Sequence, residues 1–229
     1  MTAPTAIRFR DVVAAELTKL RTLPATWIAL AIAVVADVLL GTVASTATFL
    51  TAPPGVAGAL TMAPIYAFAA IAVYAAGSEF RTGQVGVTIA AVPRRHRLYV
   101  AKLTVVVLVA AGAVLLPGRL FHNPGGMVAT LAVSLLVALI GYGFAVLART
   151  VVTPLAALIA LPVLVSPTLQ GLLPQVVRLL PHEAALSVLD RPTDPDSALD
   201  HNGGLLALLA WALMSVGTAW VTFARRDGA

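Results

Sequence analysis

Asp37 is the one ionisable side chain set well inside an apolar run, because no other charge occurs between Leu23 and Ser78. A carboxylate at the centre of a bilayer costs about 2.5 to 3.5 kcal/mol on insertion scales. Such a residue either takes part in transport or finds headgroup water, a hydroxyl partner or a proton. The roles open to Asp37 are binding a cationic group of a cargo and holding an interface between chains. Most other chemistry is gathered in Ser78–Lys102, which carries Glu79, Arg81, Arg94, Arg95, Arg97 and Lys102, five cations against one carboxylate. An apolar core there, Val85 to Val92, includes Val87 and Ile89. It is framed by Gly83 and Gly86 on one side and Pro93 on the other, which predicts a short helix or elbow between two breakers. A loop of this composition belongs at a membrane surface or against a soluble partner.

Several chemistries are missing their parts. Lys19 and Lys102 are the only lysines, and neither stands in a G-x-x-x-x-G-K-[ST] pattern, so the chain has no loop of that kind for nucleotide phosphates. His96, His122, His182 and His201 are scattered and no H-E-x-x-H occurs, so no metal site is assigned. His182-Glu183 predicts the start of an amphipathic helix on the outer surface. No G-x-S-x-G elbow is present, and no catalytic residue is assigned; the chain is not expected to be an enzyme. With no Cys, disulfides and thiolate ligands are excluded.

The elements that must hold these residues follow from composition. Of 229 residues, 59% are hydrophobic and 11% charged, with mean hydropathy +0.94, far from the balance of a soluble domain. The expected fold is all-α: a polytopic integral membrane protein forming a single transmembrane domain over residues 1–229. A span needs about 20 mainly apolar residues. Six are expected, at about 27–50, 56–77, 103–118, 127–148, 151–173 and 204–223. Pro53, Pro54 and Gly55 break the first pair, and His122-Asn123-Pro124-Gly125-Gly126 makes a tight turn. The third span is short and extends by letting Lys102 and Arg119 snorkel. The fifth contains Pro154, Pro162 and Pro167, which predicts a kinked helix packed against protein.

Residues 1–23 carry too many charges for a cleavable signal. On a helical wheel Phe9, Val12, Val13, Leu17 and Leu20 form one stripe, which describes a helix lying in the membrane interface. Glu16 interrupts that apolar face. Two readings stay open: a carboxylate snorkelling or pairing with Lys19, and an ion pair with an Arg of the central loop or of a partner subunit. Twelve of the fifteen Lys and Arg fall at the two termini, the central loop and Arg149, whereas Arg119, Arg178 and Arg191 fall on the opposite side. The positive-inside rule then places both termini and the 78–102 loop in the cytoplasm, and 174–203 becomes an extracellular loop. The same distribution, over short inter-span segments, argues against nucleic-acid binding despite a pI of 10.2.

Glu79-Phe80-Arg81-x-Gly83, the apolar segment, Pro93-Arg94-Arg95-x-Arg97 and the Ala101-Lys102 pair together resemble the cytoplasmic loop of permease subunits of ATP-binding cassette (ABC) exporters, in the type-2 permease family. Glu16-x-x-Lys19-Leu20-Arg21 is similar to the interfacial elbow motif of those permeases. Gln84 follows Gly83 where the family often has Thr, so a capping hydroxyl is absent. The resemblance implies that 78–102 forms a coupling helix contacting a separate ATPase subunit, with ATP and Mg bound there and no cofactor on this chain. It implies a contact helix over Val85–Val92, roots at Glu79 and Arg81, and Arg94, Arg95 and Arg97 holding the helix to headgroups or acidic partner residues. It further implies a plasma-membrane exporter working as a homodimer or heterodimer of permeases. Two other classes stay open: an ion-coupled secondary transporter using Asp37, and a non-transporting membrane scaffold.

Overall fold

Apolar chains in lipid must satisfy their own backbone N–H and C=O groups, and helices do so within one segment. In the computed structural model, which describes residues 8–43, 54–91, 95–121 and 124–226, every regular element is helical. The order is α1 (Phe9–Thr22), α2 (Pro24–Val43), α3 (Pro54–Thr82), α4 (Gln84–Ala91), α5 (Arg95–Phe121) and α6 (Pro124–Ala148). Then follow α7 (Val152–Ala160), a π-helical segment (Leu161–Val165), α8 (Ser166–Gln170), α9 (Pro174–Val177), α10 (Pro181–Val188) and α11 (His201–Arg226). Five stretches are long and apolar enough to cross a membrane: 58–82, 95–115, 126–148, 152–170 and 201–225. The α1–α2 pair, bent by 72°, supplies a sixth if counted as one broken span.

The centre of the bundle is α6, packed most extensively on α3 and α11 and also on α5; α2 lies along α3, α1 along α5, and α10 along α11. Small side chains permit this closeness. Ala69, Ala101, Ala138, Ala145 and Ala219 are completely buried. At Gly143 the backbone of α6 meets that of α11 so closely that an added Cβ would sit 2.6 Å from the Ser215 carbonyl carbon. Tyr99 ties α5 to α11 by donating its hydroxyl hydrogen to the Val216 carbonyl at 2.7 Å, within a cluster of Tyr142, Trp220 and Phe223.

The structure departs from the expected boundaries in ways that physics explains. The second and third spans are helical well beyond 56–77 and 103–118, so Glu79, Arg81, Arg95, Arg97 and Lys102 stand on helices and little of 78–102 is loop. Charged residues at a membrane surface extend a helix as readily as they end one, because long stems snorkel. The short helix expected at Val85–Val92 is α4, one residue earlier, and it is set off by Gly83 at φ +71°, a left-handed turn that suits glycine. Residues 44–50 of the first expected span, His122 and Asn123 of the expected turn, and Val92, Pro93 and Arg94 lie outside the described residues. The fifth span carries a π-helical segment at Pro162, one way a helix absorbs a missing N–H. Its expected packing against protein is not met within the chain: Val152, Ile159, Val163 and Leu164 are all exposed. Residues 174–203 are not all loop either. All eight residues of α10 are buried, so the amphipathic surface helix expected at His182-Glu183 is instead a buried one, held against α11.

Candidate functional site

The buried face of α1 is Val12, Glu16 and Leu20, spaced at i, i+4 and i+8. A carboxylate in the middle of that face needs a cation, and the fold supplies two. Lys102, in the second turn of α5, places its Nζ 2.8 Å from Glu16 Oε2 and 2.6 Å from both carboxylate oxygens of Glu79, near the end of α3. Lys19 donates to Glu16 Oε1 at 2.8 Å and to Glu79 Oε1 at 3.2 Å. It also lies 3.4 Å from Thr88 Oγ1, on α4, a hydroxyl that donates to the Gln84 carbonyl. Two carboxylates and two ammonium groups thus alternate in one cluster drawn from three helices, α1, α3 and α5, and α4 touches it through the Thr88 hydroxyl.

Burial and charge compete here. Glu16, Glu79 and Lys102 are 7%, 6% and 9% exposed. Burial works against ionisation of Glu16, but the charge and hydrogen bond of Lys102, reinforced by Lys19, outweigh it and hold the carboxyl below its ordinary value. For Lys19 burial likewise opposes the charge, and Glu16 and Glu79 overcome it, holding the ammonium above its ordinary value. Glu16 and Lys19 therefore each keep their charge through the partners that surround them. Beside the cluster lies a cavity of about 150 Å³, walled by Ser78, Gln84, Val105 and Tyr142 as well as by the charged groups. Open space next to a charge cluster leaves room for its members to exchange partners.

The expected site residues separate into three groups. Glu16, Lys19 and Glu79 meet in the cluster. Arg95 stands apart from it and donates to the Ala224 carbonyl at 2.9 Å, closing the last turn of α11. Arg21 is exposed, its carbonyl accepting a hydrogen bond from Trp27 Nε1 across the elbow bend. Arg81 is exposed, Arg97 half-buried, and Gly83 makes the turn between α3 and α4. Val87 is 73% exposed; the side chains of Val85 and Ile89 and all of Pro93 and Arg94 lie outside the described residues. Asp37 is buried on the face of α2 that carries Ala33, which packs against Phe68, Ala113 and Val114, and it does not line the cavity.

Of the two readings of Glu16, the pairing with Lys19 is present, whereas the cation met in the central segment is Lys102 and not the expected Arg. Hydropathy makes Lys102 an anchor at a span end, and nothing in the sequence singles it out as the partner, since any of the fifteen Lys and Arg could meet the demand of a buried carboxylate for a cation.

No family model, curated protein or solved structure matches the chain.

Proposed function

We propose that the chain is the membrane-spanning subunit of an exporter driven by an ATPase on a separate polypeptide, with α4 as the docking helix and the Glu16–Lys19–Glu79–Lys102 cluster as the joint behind it. One observation carries this reading: a single buried ion cluster links the elbow helix α1, the end of α3 and the start of α5, and reaches α4 through Thr88. A displacement of α4 by a partner therefore acts on a neutral, tightly coupled unit and shifts α1 and α5 together. The 73% exposed Val87 on α4 gives a soluble partner an apolar contact at a polar surface. Two such units would form the pathway, and closure of the ATPase pair on ATP would draw the docked helices together. The energy comes from the partner's different affinity for the two permease states, since a ligand without that difference shifts nothing. In this reading both termini and α4 face the cytoplasm, and the protein sits in the plasma membrane.

The test is a pull-down of the tagged chain from mild detergent, followed by an ATPase assay of what co-purifies. Wild type is compared with a variant in which 84–91 is replaced by a Gly-Ser linker. Recovery of ATP hydrolysis with wild type and its loss with the variant is the expected result. Equal recovery from both would remove α4 from the docking role, and no recovery from either would remove the ATPase partner.

A further inference from the structure

About 17 to 21 residues up α3 from Glu79, a distance of about 25 to 32 Å along a helix, the chain builds a second and larger cavity of about 460 Å³. Gly58, Ala59 and Met62 form one wall, the π-helical turn with Ser166 another, and the first turns of α10 a third. Two side chains of α10 line it although both are almost fully buried: His182 is 3% exposed and Glu183 6%. Ser166 Oγ donates to Glu183 Oε1 at 3.2 Å. His182 Nε2 stands 3.4 Å from the same oxygen, close enough for charge attraction but without hydrogen-bond geometry, and neither ring nitrogen has a hydrogen-bond partner. A buried imidazole is normally satisfied at one nitrogen at least. Here both nitrogens are buried beside the cavity wall.

The lining has a definite sign. Burial opposes ionisation of Glu183, yet contacts from His182, Thr193 and Ser166 prevail and hold it below the ordinary carboxyl value. Asp194, on the loop after α10, is lowered by hydrogen bonds from the Ser197 hydroxyl and the Asp196 backbone. Among the described residues that line the cavity there is no Lys or Arg, and two are carboxylates, Glu183 and Asp194. Gln170 and Thr193 add neutral polar groups, and Met62, Pro162, Pro167 and Leu186 supply carbon walls. Among the described residues no three His, Asp or Glu converge as a metal site requires. The volume falls in the ordinary range for small-molecule sites, which pair an apolar wall with a few converging polar groups. A π-helical turn at its edge is a frequent companion of such sites.

We propose that this cavity binds an organic ammonium, a protonated primary amine on a compact apolar body. The ammonium lies against Glu183 and Asp194, and the apolar body rests on Met62 and Leu186. The site lies at the other end of α3 from the charge cluster and does not depend on whether α4 meets an ATPase.

The probe is phenethylammonium, with the isosteric neutral 2-phenylethanol as control, titrated against the full chain in phosphatidylcholine nanodiscs. Saturable binding is expected, with 2-phenylethanol failing to compete. Affinity should fall at least tenfold in Glu183→Gln and severalfold in Asp194→Asn. Because the chain has no Cys, Gln170→Cys at the cavity rim gives a reading that does not depend on Glu183 variants folding. A cationic trimethylammonioethyl methanethiosulfonate should modify it at least tenfold faster than the anionic sulfonatoethyl reagent, and phenethylammonium should slow the reaction. Absence of saturable binding, competition by 2-phenylethanol, unchanged affinity in folded Glu183→Gln and Asp194→Asn, or equal rates for the two reagents would each overturn the proposal.

Discussion

Lys102 Nζ lies 2.8 Å from Glu16 Oε2 although 86 residues separate them in the chain, and the same ammonium contacts both oxygens of Glu79. One side chain of α5 therefore holds two carboxylates from two other helices. Breaking a buried ion pair by removing one partner costs about 3 to 5 kcal/mol, because the charge left behind is uncompensated, whereas the intact pair is often worth little against an apolar substitute. Lys102→Met should accordingly lose about 3 to 5 kcal/mol in unfolding experiments in mild detergent. Adding Glu16→Gln should recover part of that loss, giving a coupling energy above about 1 kcal/mol in the double-mutant cycle. Additive effects of the two changes would mean that the ions do not act as a unit.

The cluster also sets a pH window. Glu16 has its folded value held below its ordinary 4.5, so its contribution is complete above pH 4.5 and is lost as pH falls through the lowered value. Lys19 has its folded value held above its ordinary 10.5, so its contribution is complete below pH 10.5 and is lost as pH rises through the raised value. Melting temperature followed by tryptophan fluorescence should thus be flat between these limits as far as the cluster is concerned. Glu16→Gln should flatten the acid limb below pH 4.5 and weaken the alkaline limb as well, since Glu16 is one of the two carboxylates that raise Lys19. An acid limb identical in the variant would place the acid sensitivity elsewhere.

Much of this was legible in the sequence, and the reason is the bilayer. Long apolar runs between charged segments mark helices, so their existence and order were readable, while their ends were not: Glu79, Arg95 and Lys102 continue helices that hydropathy alone would stop. Glu16 announced itself as a carboxylate on an apolar face. Its partner did not, because a pairing across 86 residues leaves no mark in local periodicity. The burial of α10 was hidden for a related reason. His182, Glu183 and Ser187 make Pro181–Val188 look amphipathic, and only the packing of α11 along it shows that these residues are buried, with His182 and Glu183 bordering a cavity.

Two glycines offer a paired test of the close packing. Gly143→Ala should cost about 1 to 3 kcal/mol, the usual penalty for forcing extra volume into a packed contact, since its Cβ would meet the Ser215 backbone at 2.6 Å and drive α6 from α11. Gly112, inside α5, has nothing within 4 Å of an added Cβ. Gly112→Ala should be neutral or stabilising by up to about 1 kcal/mol, the difference in helix propensity. Equal melting temperatures for the two variants would show that the α6–α11 approach is looser than the structure describes.

Val87 and Lys102 separate docking from the joint behind it. Val87 is 73% exposed, so Val87→Asp should alter stability by no more than about 0.5 kcal/mol, the usual range for a surface change. If α4 docks in a soluble ATPase, the same substitution should nevertheless abolish co-purification, because it puts a charge into an apolar contact. Lys102→Met should do the reverse. It leaves α4 and its exposed residue in place, so a partner still binds, but the movement of α4 no longer reaches α1 and α5 through a charge-neutral joint. Stimulation of ATP hydrolysis by the permease should then fall while binding persists. A Val87→Asp variant that keeps both the partner and its regulation would move the docking surface off α4, and with it the functional reading of the cluster.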